Sequence, residues 1–283
     1  MSFLLIKILI LLIATAIAAY TDYKTSYIFN WLSLPLISLG LISITLESFV
    51  FKNPLGWNYF LNVLGISVLI YAIGYIFYYY GKLGFGDIKL FIGINLLLPY
   101  FYGKVTILWL LILSSLSSVL IVSIKYIFIL VKKIKKKEWK KIIKERKSNI
   151  LKSSALLLMF LVLFGFSIFN LHLSLWFLVL LIPIILGLFI SVFDHEIKKY
   201  IYTRNKKISK LDDGDVLAME FISKSLLKKL GMGNREVIEH RDLKRFKKLD
   251  IKEIPIYDNL PKFGPYILVG LIIFLIIAKY LVI

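Results

Sequence analysis

Apolar runs of about 20 residues recur along most of this chain of 283 residues, and they constrain its fold more than any other feature. A helix of about 20 residues crosses the hydrocarbon core of a bilayer. Hydrophobic residues make up 59% of the chain, whereas soluble domains have about 45–50%. The sequence therefore predicts an all-α, polytopic membrane helix bundle of about 6–8 transmembrane helices with a cytoplasmic polar segment. A soluble globular protein is excluded.

The alternation of apolar and polar stretches predicts five segments along the chain. These are a membrane core over 1–131, a basic cytoplasmic loop over 132–152, additional membrane helices over 153–193, a cytoplasmic or membrane-surface segment over 194–263, and a C-terminal transmembrane helix over 264–283. Pro99 and Gly103 predict a tight turn inside the core. Within the polar segment, we expect an amphipathic helix over Ile208 to Leu230 that an Asp caps and Gly231 ends.

The positive charge of the chain is concentrated in two of these segments. The formal net charge is +19, and residues 132–152 carry eleven Lys and Arg, while 194–263 carries seventeen against twelve acids. The positive-inside rule places both segments in the cytoplasm, and counting spans backwards places 21–30 and 81–87 there too. Membrane lipid is thus an expected partner of the basic residues, and no binding of nucleic acid is expected.

Two acidic residues lie at the cytoplasmic ends of predicted spans. Asp22 follows the first span, and Asp87 stands in Gly84-Phe85-Gly86-Asp87 between the third and fourth spans. Acids near lipid usually face the bundle interior or water, which makes them functional candidates. Two adjacent carboxyl groups share a proton, so one can activate a water while the other protonates a peptide carbonyl. This chemistry needs no metal and no cofactor.

Gly84 and Gly86 are the supporting residues of this candidate site. Glycine allows positive φ and leaves space next to an acid, so that a substrate backbone or the partner Asp can approach. The structural alternative is a turn at the membrane edge in which Asp87 caps the fourth span and Asp22 is solvated.

The sequence Gly84-Phe85-Gly86-Asp87-Ile88-Lys89 resembles the GxGD signature of the type IV prepilin peptidase family, and Asp22 with Lys24 and Asn30 resembles that family's first-aspartate segment. The resemblance covers about residues 10–130. It implies an aspartic endopeptidase with Asp22 and Asp87 as the catalytic pair. It also implies that the enzyme lies in the cell membrane and removes short basic leaders from pilin-like or archaellin precursors at the cytoplasmic face.

The chain is most similar in layout to the archaeal prepilin and preflagellin peptidases. It contains no Cys, whereas bacterial members carry Cys pairs and often methylate the new N-terminus, so no methyltransferase activity is expected. The stretch from Ile254-Pro255 through Phe263-Gly264-Pro265 into the last span resembles the longer archaeal members.

Two other functions remain open at this stage. A presenilin-like intramembrane protease also uses GxGD but usually pairs it with Tyr-Asp, where this chain has Thr21-Asp22. A transporter could use Asp22 and Asp87 as ion or proton sites, although the chain shows no inverted repeat. Asp194-His195-Glu196 at the end of the seventh predicted span is a weak alternative acid cluster. The remaining acids and histidines are expected to be N-caps, solvated turns or interfacial groups, namely Asp212, Asp213, Asp215, His172 and His240.

Overall fold

The structure, a computed structural model, describes residues 3–50, 56–79, 83–171, 181–212, 215–231, 236–247, 249, 251, 253–258, 262–278 and 280. The chain divides into two compact units. The first comprises 1–118 with 262–283, and the second comprises 119–261.

The first unit is a bundle of apolar helices. Its helices are α1 (Phe3–Thr25), α2 (Asn30–Thr45), α3 (Gly56–Tyr79), α4 (Phe85–Leu97), the first half of α5 (Thr106–Lys133) and, from the C-terminal end of the chain, α12 (Gly264–Ile277). One hydrophobic core joins residues of α1, α2, α4, α5 and α12, with Leu11, Leu90, Ile94, Leu110 and Leu271 fully buried. The core therefore contains residues from both ends of the chain.

Helix α4 packs tightly between α2 and α3 because glycines face large side chains at the contacts. A Cβ atom at Gly40 of α2 would lie 2.5 Å from the Cβ of Leu96, and one at Gly93 of α4 would lie 2.8 Å from the Cδ2 of Leu36. On the other side of α4, a Cβ at Gly74 of α3 would lie 2.9 Å from Ile88. Small residues let apolar helices approach closely, and this packing fixes the position of the first turn of α4.

Five helices among the described residues are long and apolar enough to cross a membrane, and this supports the predicted helical membrane protein. They are Phe3–Thr25, Asn30–Val50, Gly56–Tyr79, Thr106–Lys133 and Lys147–Phe166. Helices α8 (Leu181–Val192) and α12 are apolar but shorter. The fourth predicted span, which begins after Asp87, corresponds to the 13-residue helix α4 and a hairpin.

That hairpin is the tight turn predicted from Pro99 and Gly103. Strands β1 (Tyr100–Phe101) and β2 (Lys104–Val105) pair antiparallel, and the two turn residues Tyr102 and Gly103 have φ of 47° and 71°. Two successive positive φ values are typical of a two-residue hairpin turn. The chain therefore reverses between α4 and α5 without a long loop.

Helix α12 packs along α1 and is part of the first unit, although the sequence suggested a separate C-terminal segment over 264–283. A Cβ at Gly270 would lie 2.4 Å from the Oγ of Ser114, so α12 also lies directly against α5. The first unit thus combines residues from the two ends of the chain, which sequence patterns do not report because they carry no information on contacts between distant helices.

The second unit contains the remaining elements. Its helices are the second half of α5, α6 (Lys136–Glu145), α7 (Lys147–Leu171), α8, α9 (Asp194–Ile197), α10 (Lys224–Leu230) and α11 (His240–Phe246). A three-stranded antiparallel sheet has the order β3 (Thr203–Lys207), β5 (Glu253–Tyr257), β4 (Val216–Leu217). Its buried core includes Leu217, Leu230, Phe246, Ile254 and Ile256.

The structure of this region differs from the expectations in three details. The fold is mostly helical but not all-α, because the polar segment pairs strands that lie about fifty residues apart. The basic segment 132–152 is largely helical, since Trp139 and the buried Ile142 give α6 an apolar side that contacts Phe193. Residues 208–230 do not form one helix: only α10 does, with Ser223 as its N-cap, although Gly231 ends it with φ of 62°, as predicted.

Candidate active site

Asp22 lies in the last turn of α1 and is buried, with 7% of its surface exposed. Its Oδ2 accepts a hydrogen bond of 2.8 Å from the backbone N–H of Gly264, the first residue of α12. The side chain of Phe263, the N-cap of α12, caps no N–H group of the helix. Pro265, the residue after Gly264, has no N–H to donate. Asp22 therefore serves as the capping side chain of α12 across 242 residues of sequence.

Asp87 lies in the first turn of α4 and is also buried, with 8% exposed. Its Oδ2 accepts the backbone N–H of Gly84 at 3.2 Å, which caps α4 from within its own sequence. Its other oxygen, Oδ1, is buried and has no hydrogen-bond partner in the part of the chain that the structure describes. A buried carboxyl oxygen without a partner is costly as an anion and favours a protonated group or a bound ligand.

The two carboxyl groups belong to the same unit, and the charge of Asp22 acts on Asp87. Asp87 lies outside the five helices long enough to cross a membrane. Burial and the nearby negative charge of Asp22 raise the pKa of Asp87 to about 7, and the N–H of Gly84 opposes this rise. The expectation that α1 and the start of α4 bring the two acids together therefore agrees with the electrostatics of the fold.

Gly84 and Gly86 have a different role from the one expected. Among the described glycines, positive φ occurs at Gly56, Gly103 and Gly231, and Gly84 has an ordinary φ of −74°. A Cβ at Gly86 would lie 2.8 Å from the Cβ of Ile28, in the connection between α1 and α2. The space at Gly86 is thus filled by the protein itself rather than left open for a substrate.

Gly84 provides space for the acid of its own motif. A Cβ at position 84 would lie 2.9 Å from the Oδ2 of Asp87, so glycine allows this carboxyl to fold back onto the N–H of Gly84. The two glycines therefore position Asp87 in different ways. Gly84 accommodates the side chain, and Gly86 lets α4 approach the end of α1.

The basic residues of the motif make local contacts. The Nζ of Lys89 donates to the Oδ1 of Asn30 at 2.7 Å and lies 4.6 Å from the centre of the Phe85 ring, which links the first turns of α4 and α2. The Nζ of Lys24 lies 4.7 Å from the centre of the Tyr20 ring on its own helix. Lys24, Asn30 and Lys89 thus contact neighbouring residues, and the sequence assigned them no chemical role.

Sequence reasoning missed two residues beside Asp22. Besides Gly264, the half-buried Lys262 lies at this site, where its Nζ donates to the backbone carbonyl of Tyr23 and lies 5.5 Å from the centre of the Tyr23 ring. The signal was present in Lys262-Phe263-Gly264-Pro265, a basic residue and two helix-start residues immediately before an apolar run.

The other acids and histidines are placed in the second unit or outside the described residues. Asp215 accepts the N–H of Asp212, and Lys206 bridges both carboxylates, which makes this turn a local ion-pair cluster. Asp194 pairs with Lys198 and Glu196 with Arg146, while the Nδ1 of His195 lies 3.8 Å from Glu220. His240 begins α11, and His172 and Asp213 lie outside the described residues.

Residues 9–127 match the model of the type IV leader peptidase family. The prepilin peptidase EppA of Methanothermobacter thermautotrophicus is 32% identical to this chain over 96 residues, which are 34% of the chain and 24% of that relative. This segment of the chain is therefore similar to the type IV leader peptidases. The predicted resemblance is confirmed, and the match spans about a quarter of the relative's length. No solved structure matches the chain significantly.

The segment that matches the type IV leader peptidases contains both acids and both glycines of the candidate site. It ends before two residues from the C-terminal part of the chain, Gly264, which donates to Asp22, and Lys262, which donates to the carbonyl of Tyr23. The candidate site is therefore built by the family segment together with α12.

The two motif glycines should differ in their effect on stability. We expect Gly86→Ala to lower the free energy of unfolding by about 1–3 kcal/mol, because its Cβ would overlap Ile28. Gly84→Ala should lower it by less than about 1 kcal/mol, because its Cβ meets only the end of the Asp87 side chain. Thermal unfolding of both variants in the same detergent measures the difference. Equal melting temperatures would contradict the packing role of Gly86.

Proposed function

We propose that this chain is a membrane aspartic endopeptidase in which Asp22 and Asp87 are the catalytic pair. The observation that carries this proposal is the burial of two like-charged groups, from α1 and α4, close enough for one to change the titration of the other. Such an arrangement is costly for stability alone, since repulsion and desolvation both disfavour it. It is the arrangement that acid–base hydrolysis requires.

Hydrolysis by such a pair needs one shared proton. The ionised carboxyl takes a proton from a water, which attacks the scissile peptide carbonyl, and the protonated carboxyl donates to the carbonyl oxygen. As the C–N bond of the tetrahedral intermediate breaks, the carboxyl that took the proton of the water gives it to the amine nitrogen, and the other carboxylate takes back a proton from the intermediate. Because the two titrations are coupled, the observed pKa values of the rate belong to the pair.

Two observations support the proposed substrate class: the similarity of residues 9–127 to the type IV leader peptidases, and the place of the pair in the bundle. Both acids stand at helix ends rather than in mid-span, at positions 22 of α1 and 87 of α4. A membrane-edge site suits a bond at the border between a soluble leader and a hydrophobic helix. We propose that the enzyme removes the short basic leader of pilin-like or archaellin precursors at the cytoplasmic face of the membrane.

Replacing either acid by its amide should stop the reaction. We expect Asp22→Asn and Asp87→Asn each to lower leader cleavage by at least about 100-fold, because an amide can serve neither as base nor as acid. Asp194→Asn is the matched control, since this acid pairs with Lys198 in the second unit. The measurement is cleavage of pilin and archaellin precursors in membranes with equal enzyme content. Near-normal cleavage by either amide variant would remove that residue from the mechanism.

Cleavage should decrease as the pH rises through about 7. The raised pKa of Asp87 means that this carboxyl keeps its proton below about 7 and loses it above that value. The singly protonated pair is then replaced by two carboxylates, which have no proton to donate. The pH dependence of kcat for the solubilised enzyme measures this loss. A rate that stays constant well above this pH would show that the reaction does not need the shared proton.

Labelling of single cysteines tests the proposed membrane face. The chain has no native Cys, so Lys24→Cys, Tyr102→Cys and Lys140→Cys each introduce one exposed thiol. We expect Lys24→Cys and Lys140→Cys to react only after the membrane is opened, and Tyr102→Cys to react in intact cells. Labelling of Lys24→Cys from outside would place the acids at the other face.

A further inference from the structure

We propose that the start of α12 is a positioning element that holds Asp22 as the ionised member of the pair and leaves the shared proton on Asp87. The positioning residues are Gly264 and Lys262, neither of which lies in the segment that matches the family. This inference rests on the proposed aspartic peptidase function. It adds a division of roles between two acids that are chemically identical.

The start of α12 offers one hydrogen-bond donor to Asp22. The N–H of Gly264 reaches the Oδ2 at 2.8 Å inside the protein. Pro265 has no N–H, and the N–H of Tyr266 already bonds the carbonyl of Phe263 at 3.0 Å. Asp22 thus accepts the N–H of Gly264, which has no partner within the first turn of α12. The positive end of the helix dipole and a charge-assisted hydrogen bond both favour the carboxylate over the neutral acid.

Lys262 adds a full positive charge to the same side of Asp22. Its ammonium group bonds the carbonyl of Tyr23, the residue after Asp22, and lies over the Tyr23 ring. A positive charge at this distance from a carboxyl group favours its ionised form. The contact also ties the last turn of α1 to the residues that enter α12, so Lys262 fixes both the charge and the position of Asp22.

Asp87 has the opposite surroundings. It accepts one N–H, from Gly84, while its Oδ1 is buried without a partner among the described residues. Its neighbour Lys89 is engaged by Asn30 rather than by the acid. A buried oxygen without a donor or a cation favours the protonated form, and the raised pKa of Asp87 agrees with this assignment. Asp22 then acts as the base and Asp87 as the acid.

Glycine at position 264 is required by the closeness of this contact. A Cβ at Gly264 would lie 3.0 Å from both the Cβ and the Oδ2 of Asp22. Any side chain would move the carboxylate or the start of α12 by a few tenths of an ångström. Since a 1 Å misplacement of a reacting group costs about 100-fold in rate, this smaller displacement should be visible in kcat.

The test compares the two limbs of the pH–rate profile of leader cleavage. In Lys262→Gln, the acid limb should move to higher pH by about one unit, because Asp22 loses the cation that keeps it ionised. The basic limb, which reports the loss of the last proton of the pair, should stay within a few tenths of a unit, because that proton lies on Asp87 in the proposed assignment. Lys24→Gln is the matched control, since this lysine is two residues from Asp22 but faces Tyr20. It should leave the acid limb unchanged.

Gly264→Ala supplies a second measurement. We expect kcat to fall by about tenfold with little change in KM, because the variant moves a reacting group rather than a substrate contact. The substrates are one purified pilin-like precursor and one archaellin precursor, and thermal unfolding is recorded beside each rate. A lower melting temperature with an unchanged kcat would show that Gly264 is only a packing residue and would overturn its positioning role.

The outcomes separate the inference from the function on which it rests. If Asp22→Asn or Asp87→Asn still cleaves, the aspartic peptidase function itself is wrong. If both amides are inactive but Lys262→Gln moves the basic limb instead, the shared proton belongs to Asp22 and the assignment is reversed. If neither limb moves, or if Lys24→Gln moves the acid limb equally, Lys262 has no specific role.

Discussion

The structure of the first unit is governed by the burial of two carboxyl groups, Asp22 and Asp87, beside each other. Burial of an anion is costly unless donors or a cation compensate it. Here each acid accepts one backbone N–H from the start of a helix, Gly84 of α4 for Asp87 and Gly264 of α12 for Asp22. The only other strongly buried charge of this unit, Lys7, is neutralised by Glu47 at 2.6 Å, among the residues that the structure describes. Neither acid of the pair makes an ion pair of this kind among the described residues, and Lys262 acts on Asp22 only from its contact with the carbonyl of Tyr23.

This constraint explains why the bundle is packed most closely around α4. Asp87 reaches the neighbourhood of Asp22 only if the start of α4 lies against the connection between α1 and α2, which Gly86 permits by leaving room for Ile28. The glycine contacts of Gly40 and Gly93 hold the rest of α4 against α2. Small residues in these helices are therefore the means by which a short helix of 13 residues is fixed precisely enough to place one carboxyl group.

The sequence was sufficient for the parts of the fold that depend on local patterns. Apolar runs predicted the helices, Pro99 and Gly103 predicted the hairpin, and two acids at span ends predicted the candidate site, whose catalytic role is still a prediction. Contacts between distant segments were not visible, which is why the return of α12 to α1 and the pairing of β3 with β5 were missed. The role of Gly86 was misjudged for the same reason, because its neighbour Ile28 lies 58 positions earlier in the chain.

Asp22 joins two functions that are usually separate, since it is both a candidate catalytic acid and the cap of a helix from the far end of the chain. An N–H at a helix start binds a carboxylate more strongly than a neutral carboxyl group. By linkage, ionisation of Asp22 then strengthens the docking of α12, and docking of α12 strengthens the ionisation of Asp22. Asp87 has no such coupling, because its donor, Gly84, belongs to the same helix start and moves with it. A helix that contributes no acid to the pair thereby makes its two members unequal.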